Sequence, residues 1–113
     1  MAQKKSGRGK AAARQHSTLE GWLSSQTSPN TRSAYRSDLE AFGDWCAREG
    51  AIPLTADPAT LIAFQAAREE AGDSASTIRR RWSAMSSFYD FAVDQQLRST
   101  NPALGVDRPK VLA

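Results

Sequence analysis

Two clusters of serine, threonine and arginine hold the chemistry this chain offers. The first is Ser28-Pro29-Asn30-Thr31-Arg32-Ser33, with Arg36 following. The second is Ser74-Ala75-Ser76-Thr77-Ile78-Arg79-Arg80-Arg81, with Ser83 close behind. An arginine fork donates to phosphate oxygens or to the acceptor edge of guanine. Small hydroxyl side chains let a backbone come close to the surface that carries those acceptors. The chemistry is recognition, not bond breaking. The one histidine (His16) and the one cysteine (Cys46) leave no Ser/His/Asp or Cys/His set on ordered elements. Gly7 and Gly9 fall in a basic tail, Glu69-Glu70 reads as solvated charge near a helix end, and no metal-ligand cluster or phosphate-cradling loop occurs. Neither cofactor nor metal is expected.

The elements that position these clusters are helices. Period-2 alternation is absent, and proline after a capping residue marks two helix starts, at Ser28-Pro29 and Asp57-Pro58. Leu19, Trp22 and Leu23 stripe a short first helix beginning near Ser17 or Thr18. Tyr35, Leu39, Phe42, Trp45 and Cys46 stripe the second, which Gly50 stops. Ile52-Pro53-Leu54 is an extended connector. Leu61, Ile62, Phe64 and Ala67 mark a third helix ending at Gly72. Asp73, Ser74 or Ser76 caps the fourth, striped by Ile78, Trp82, Met85, Phe88, Tyr89 and Ala92. The expected fold is all-α, with Trp22, Tyr35, Leu39, Phe42, Ile78, Trp82 and Met85 in its core.

On the second helix the outward positions are Ser33, Ser37, Glu40 and Asp44, flanked by Arg36. Its N-terminal half is small and basic, its C-terminal half acidic. On the fourth helix Ser76, Arg80, Ser83 and Ser87 stand almost opposite the core line, with Arg79 flanking and Arg81 nearer the core edge. Three successive arginines repel one another unless a counter-charge is near.

The net charge of +3 is unevenly spread. Lys4, Lys5, Arg8, Lys10 and Arg14 lie in the first sixteen residues, which hold no acid. Removing these five leaves ten basic residues against twelve acidic ones, a net of −2 for the remainder. Residues 1–16 hold almost no large apolar side chain and read as a disordered basic arm, either a solubilising tail or a DNA-touching one. No apolar run reaches the roughly 18 residues of a membrane span. A cytoplasmic protein without membrane contact is the plain expectation.

In order and spacing these parts resemble the N-terminal core-binding domain of tyrosine recombinases, the phage-integrase family. Thr31, Tyr35, Leu39, Phe42 and Trp45 match that family's second helix, and Ser76, Thr77, Ile78, Trp82, Met85, Phe88 and Phe91 its fourth. Asn101-Pro102-Ala103 with Pro109-Lys110 looks like its exit toward a catalytic domain. The resemblance implies a SAM-like bundle of four to five helices over residues 17–100, and a linker over 101–113. Such a domain forms half of a clamp on double-stranded DNA, with its second and fourth helices across the major groove. The DNA-facing set by positional match is Thr31, Arg32, Ser33, Arg36, Ser76, Thr77, Arg79, Arg80 and Ser83.

The family's tyrosine nucleophile, arginines and His-x-x-Arg motif belong to a second domain that this chain is expected to lack. Tyr35 and Tyr89 sit on core stripes, so the chain is not expected to cut DNA. Its partners would be duplex DNA and other recombinase protomers, the isolated domain being monomeric. The outward Glu40 and Asp44 depart from a basic surface and weaken the expected affinity. Two other readings compete: a helical protein–protein interaction module without DNA binding, and a small helix-turn-helix regulator turning at Gly72-Asp73.

Overall fold

A side-chain oxygen placed three residues before a backbone amide starts three of the helices in this chain. The computed structural model describes residues 16–104. Ser28 Oγ accepts from the Thr31 amide at 3.3 Å, Asp57 Oδ1 from the Thr60 amide at 2.9 Å, and Ser74 Oγ from the Thr77 amide at 3.1 Å. Each bond satisfies one of the amides that a first helical turn leaves unpaired. The elements are α1 (residues 16–24), α2 (Pro29–Glu49), a 3-10 turn (Pro53–Thr55), α3 (Pro58–Glu70) and α4 (Ala75–Asp94). Among the described residues there is no strand, and no helix is long and apolar enough to cross a membrane. His16, expected in the arm, is already helical. The remaining arm residues, 1–15, and residues 105–113 lie outside the described part.

Gly50 closes α2 at φ 76°, where a side chain would be strained, and the Ala51 amide reaches back to the Cys46 carbonyl at 2.8 Å. Helix α2 packs on α4 and on the 3-10 turn, and α3 packs on α4. Helix α4 is therefore the central element. It buries Ile78, Trp82, Ala84, Met85, Phe88, Tyr89 and Ala92, while α2 contributes Leu39, Phe42 and Cys46, and α3 contributes Leu61 and Phe64. Burial pushes the Cys46 thiol up to about 12 and makes it an inert core residue. Phe64 joins Phe42 and Trp45, at centroid distances of 5.0 and 5.5 Å.

Polar atoms of the core aromatics find partners, as burial demands. The Trp82 indole donates to Gln65 Oε1 at 2.6 Å, and the Tyr89 hydroxyl donates to the Pro53 carbonyl at 2.5 Å. Helix α1 covers one side through Trp22, whose ring stacks on Tyr35 at 5.1 Å and meets Phe88 edge-on at 5.6 Å. Gly21 lets it settle there, since a Cβ at that position would stand 3.3 Å from the Phe91 ring. Of the expected core residues, six are buried. Tyr35 is only half-buried, because it lies at the rim and packs against α1 through one face of its ring.

The segment after α4 folds back onto the body. Arg98 Nη1 donates to the carbonyls of Leu54 (3.0 Å) and Ala56 (2.9 Å), and its guanidinium lies over the Tyr89 ring at 4.9 Å. Asn101 Nδ2 donates to the Ser86 carbonyl and to Asp90 Oδ1, both at 2.9 Å, while its Oδ1 accepts from the Ala103 amide at 2.9 Å. Pro102 and Ala103 are buried as a result. Asn101, Pro102 and Ala103 thus pack onto the body, while Leu104 is exposed.

Replacing Trp82 by Ala removes a fully buried indole and should cost about 3–5 kcal/mol in a urea unfolding measurement. A loss under about 1 kcal/mol would contradict the packing described for it. The acid side offers a second check. The Asp57 carboxyl is held below its ordinary 3.8 by the Thr60 amide and hydroxyl, and the Asp73 carboxyl is lowered by the Arg68 guanidinium. Carboxyls lowered on folding add stability above their unfolded value, and that stability is lost as pH falls through the folded one. The urea midpoint should therefore hold above about pH 5 and decline below 4. Asp57→Asn, which keeps a capping oxygen, should make the decline shallower.

Candidate nucleic-acid interface

A carboxylate with no exposed surface sits in the middle of α2. Asp38 is wholly buried, which is costly for a charge unless it is paired and hydrogen-bonded. The partner comes from α4. Arg80 donates from Nη2 to Oδ1 at 2.6 Å and from Nε to Oδ2 at 3.1 Å, a two-pronged pair that crosses between the helices. Ala34 and Ala41, one turn either side of Asp38, are small enough to leave its carboxylate open to that fork. Arg81 adds a second cation. Its Nη1 lies 3.8 Å from Asp38 Oδ1, and its Nε lies 3.5 Å from Asp73 Oδ2. Both of these nitrogens are buried without a hydrogen bond, so charge alone holds them. Asp73 itself is bound by Arg68 through Nε at 2.8 Å and Nη2 at 3.0 Å.

The repulsion within Arg79-Arg80-Arg81 is thereby answered for two of its members. Arg79 differs. It is exposed and makes no side-chain hydrogen bond or ion pair with any described residue. Ser76 and Ser83, one turn on either side of Arg80, are also exposed. Ser83 bonds only to the backbone carbonyl of Arg79, at 3.3 Å. Thr77 is half-buried and receives the Ser74 hydroxyl at 3.0 Å, as part of the helix cap. The N-terminal part of α4 thus presents one free guanidinium, one paired guanidinium and small hydroxyls.

The α2 positions divide similarly. Ser33 and Ser37 are exposed, and Thr31 is half-buried behind the Ser28 cap. Arg32 turns toward α1, where Nε donates to the Leu23 carbonyl at 3.3 Å and Nη2 to the Gln26 carbonyl at 3.0 Å. It serves the carbonyls at the end of that helix, where a cation is favoured. Arg36 forms a fork with Glu20 at 2.9 and 3.1 Å, which lowers the Glu20 carboxyl. Both side chains of that pair are about two-fifths exposed, so the pair adds little stability and can exchange for another anion.

Among the nine residues assigned to the interface, Arg80 joins α4 to α2, Arg32 and Arg36 turn to α1, Thr31 and Thr77 sit at the helix caps, and Ser33, Ser76, Arg79 and Ser83 are exposed. Ser87 was read as an outward position, but it is half-buried and its Oγ accepts from the Trp22 indole at 3.0 Å. A helical wheel drawn for α4 alone does not see α1 covering that side. Sequence reasoning missed Asp38, Asp73 and Glu20 as partners. The signal was present in the arginine run, which required acids nearby without saying which.

Comparison with known proteins agrees with this architecture. The description "Phage integrase, N-terminal SAM-like domain" matches residues 18–96. The tyrosine recombinase XerD of Chlorobaculum tepidum is 35% identical over 99 residues, covering 83% of this chain and 33% of that protein. XerD of Proteus mirabilis is 32% identical, over 80% of this chain and 29% of its own length. The tyrosine recombinase XerC of Xylella fastidiosa (strain 9a5c) is 38% identical over 86 residues, 75% of this chain and 29% of the relative. The chain therefore spans about a third of the curated relatives it matches. No solved structure gives a significant match. An all-helical body closed on α4, together with this match over most of its length, makes the chain a member of the phage-integrase N-terminal, SAM-like domain family of tyrosine recombinases.

Proposed function

We propose that this chain is a DNA-binding domain that grips duplex DNA through the outer faces of α2 and α4. It acts as half of a clamp in a tyrosine recombinase that integrates or recombines DNA. The observation that carries this reading is Arg79, an exposed guanidinium without an internal partner, set among exposed serines on α4. Arg80, Ser76, Ser83 and Thr77 complete the α4 contribution. Ser33, Thr31 and the exchangeable Arg36 supply that of α2, and Arg32 supports it from behind by holding α1. Few arginines are free, and Glu40 and Asp44 are exposed on α2, so the domain alone binds weakly and mainly through phosphates.

Strand cleavage belongs elsewhere in the recombinase. Tyr89 is buried with its hydroxyl donated to a carbonyl, and Tyr35 is half-buried against Trp22. On a recombination site the partners are the duplex and further recombinase protomers. The interaction-module reading has less support. Ile52, Ile62, Leu97 and Leu104 are exposed, but isolated apolar side chains at a surface are ordinary.

Fluorescence anisotropy with a labelled duplex across a salt series tests the proposal. Arg79→Ala should weaken binding and reduce the slope of log K against log salt by about 0.9. Arg48→Ala, at an exposed position in the last turn of α2, should leave both unchanged. Binding that ignores salt, or no binding at low salt, would overturn the assignment.

A further inference from the structure

The two exposed arginines of α4 are not equivalent, and the difference separates affinity from sequence reading. An arginine offers five N–H donors in a fixed planar fork, arranged along more than one edge. Asp38 occupies the side edge of Arg80, taking Nε and one hydrogen of Nη2. Nη1 bonds to nothing among the described residues, and half of the side chain is exposed. What remains is the end edge, with parallel N–H groups on Nη1 and Nη2. That pair matches the O6 and N7 acceptors of guanine in the major groove.

Charge argues the same way. With a carboxylate against it, Arg80 adds little net positive charge, so its pull on a phosphate is small. Its directional donors survive the pairing. Asp38 is buried and bound at both oxygens, so the plane of the fork is set before any ligand arrives. Ser76 and Ser83, one turn on either side, put no bulk in the way of a base edge. Arg79 is the converse case: full charge, no fixed orientation.

Resting on the DNA-binding reading above, we propose that Arg80 reads a guanine base in the major groove. Asp38 is the positioning residue that aims Arg80, and Arg79 supplies phosphate attraction without sequence preference. Asp38 does not touch the DNA.

Selection from a randomised duplex pool with the full chain, followed by binding to the selected duplex, tests this. One guanine position should be enriched, and 7-deazaguanine placed there should weaken binding by about fivefold or more. Arg80→Lys keeps a cation over Asp38 but loses the two-donor edge. It should still bind duplex, yet neither enrich that guanine nor respond to 7-deazaguanine. Arg79→Ala should keep the guanine preference while flattening the salt dependence. Asp38→Asn releases the charge of Arg80, so the salt slope should steepen by up to about 0.9 as the guanine preference falls. A merely structural Asp38 would not move those two readings in opposite directions. If Asp38→Asn does not fold, Arg80→Lys alone decides. Duplex binding with no enriched guanine, or a preference that survives Arg80→Lys, overturns the proposal and leaves the DNA-binding reading standing. Absence of binding to any duplex at low salt overturns both.

Discussion

The buried carboxylate of Asp38 is the constraint around which this small bundle is arranged. An unpaired charge in that position would be strongly destabilising, and removing one member of such a pair typically costs several kcal/mol. Helix α4 must therefore lie where Arg80 and Arg81 can reach α2. Arg81 also engages Asp73 in the turn before α4, and Arg68 of α3 holds Asp73. Four acid–base contacts thus tie α2, α3 and the start of α4 into one charge network. A hydrophobic core of leucines and aromatics tolerates sliding of one helix along another more readily than this network does. Burial drives the association, and the ion network links the helices at fixed points.

Much of the fold was legible because its boundary signals are local. Ser28-Pro29, Asp57-Pro58 and Gly50 act within one helical turn, and their geometry is that of the caps the residues imply. The apolar stripes of α2 and α4 were readable for the same reason. What could not be read was pairing between helices. Asp38 lies next to Leu39 on the edge of a core stripe, where a wheel marks it as a border position. Only the approach of α4 makes it fully buried. Ser87 misled for a related reason, since its partner Trp22 is sixty-five residues away in sequence.

The candidate site was half legible. Residue types and exposure on α4 followed from the pattern for Ser76, Arg79, Arg80 and Ser83. Composition could not tell a free guanidinium from an occupied one. Arg32, Arg36 and Arg80 all spend donors inside the molecule, on α1 carbonyls, on Glu20 and on Asp38 respectively. Counting arginines would overstate the charge available to a polyanion.

The docking of Asn101 onto Ser86 and Asp90 has a mechanical consequence. The described chain therefore ends close to an anchorage on the same helix that carries Arg79 and Arg80. Each further residue extends the reach by at most about 3.3–3.6 Å. A body tethered within a few residues of that anchorage would stay close to α4, at a high effective concentration there.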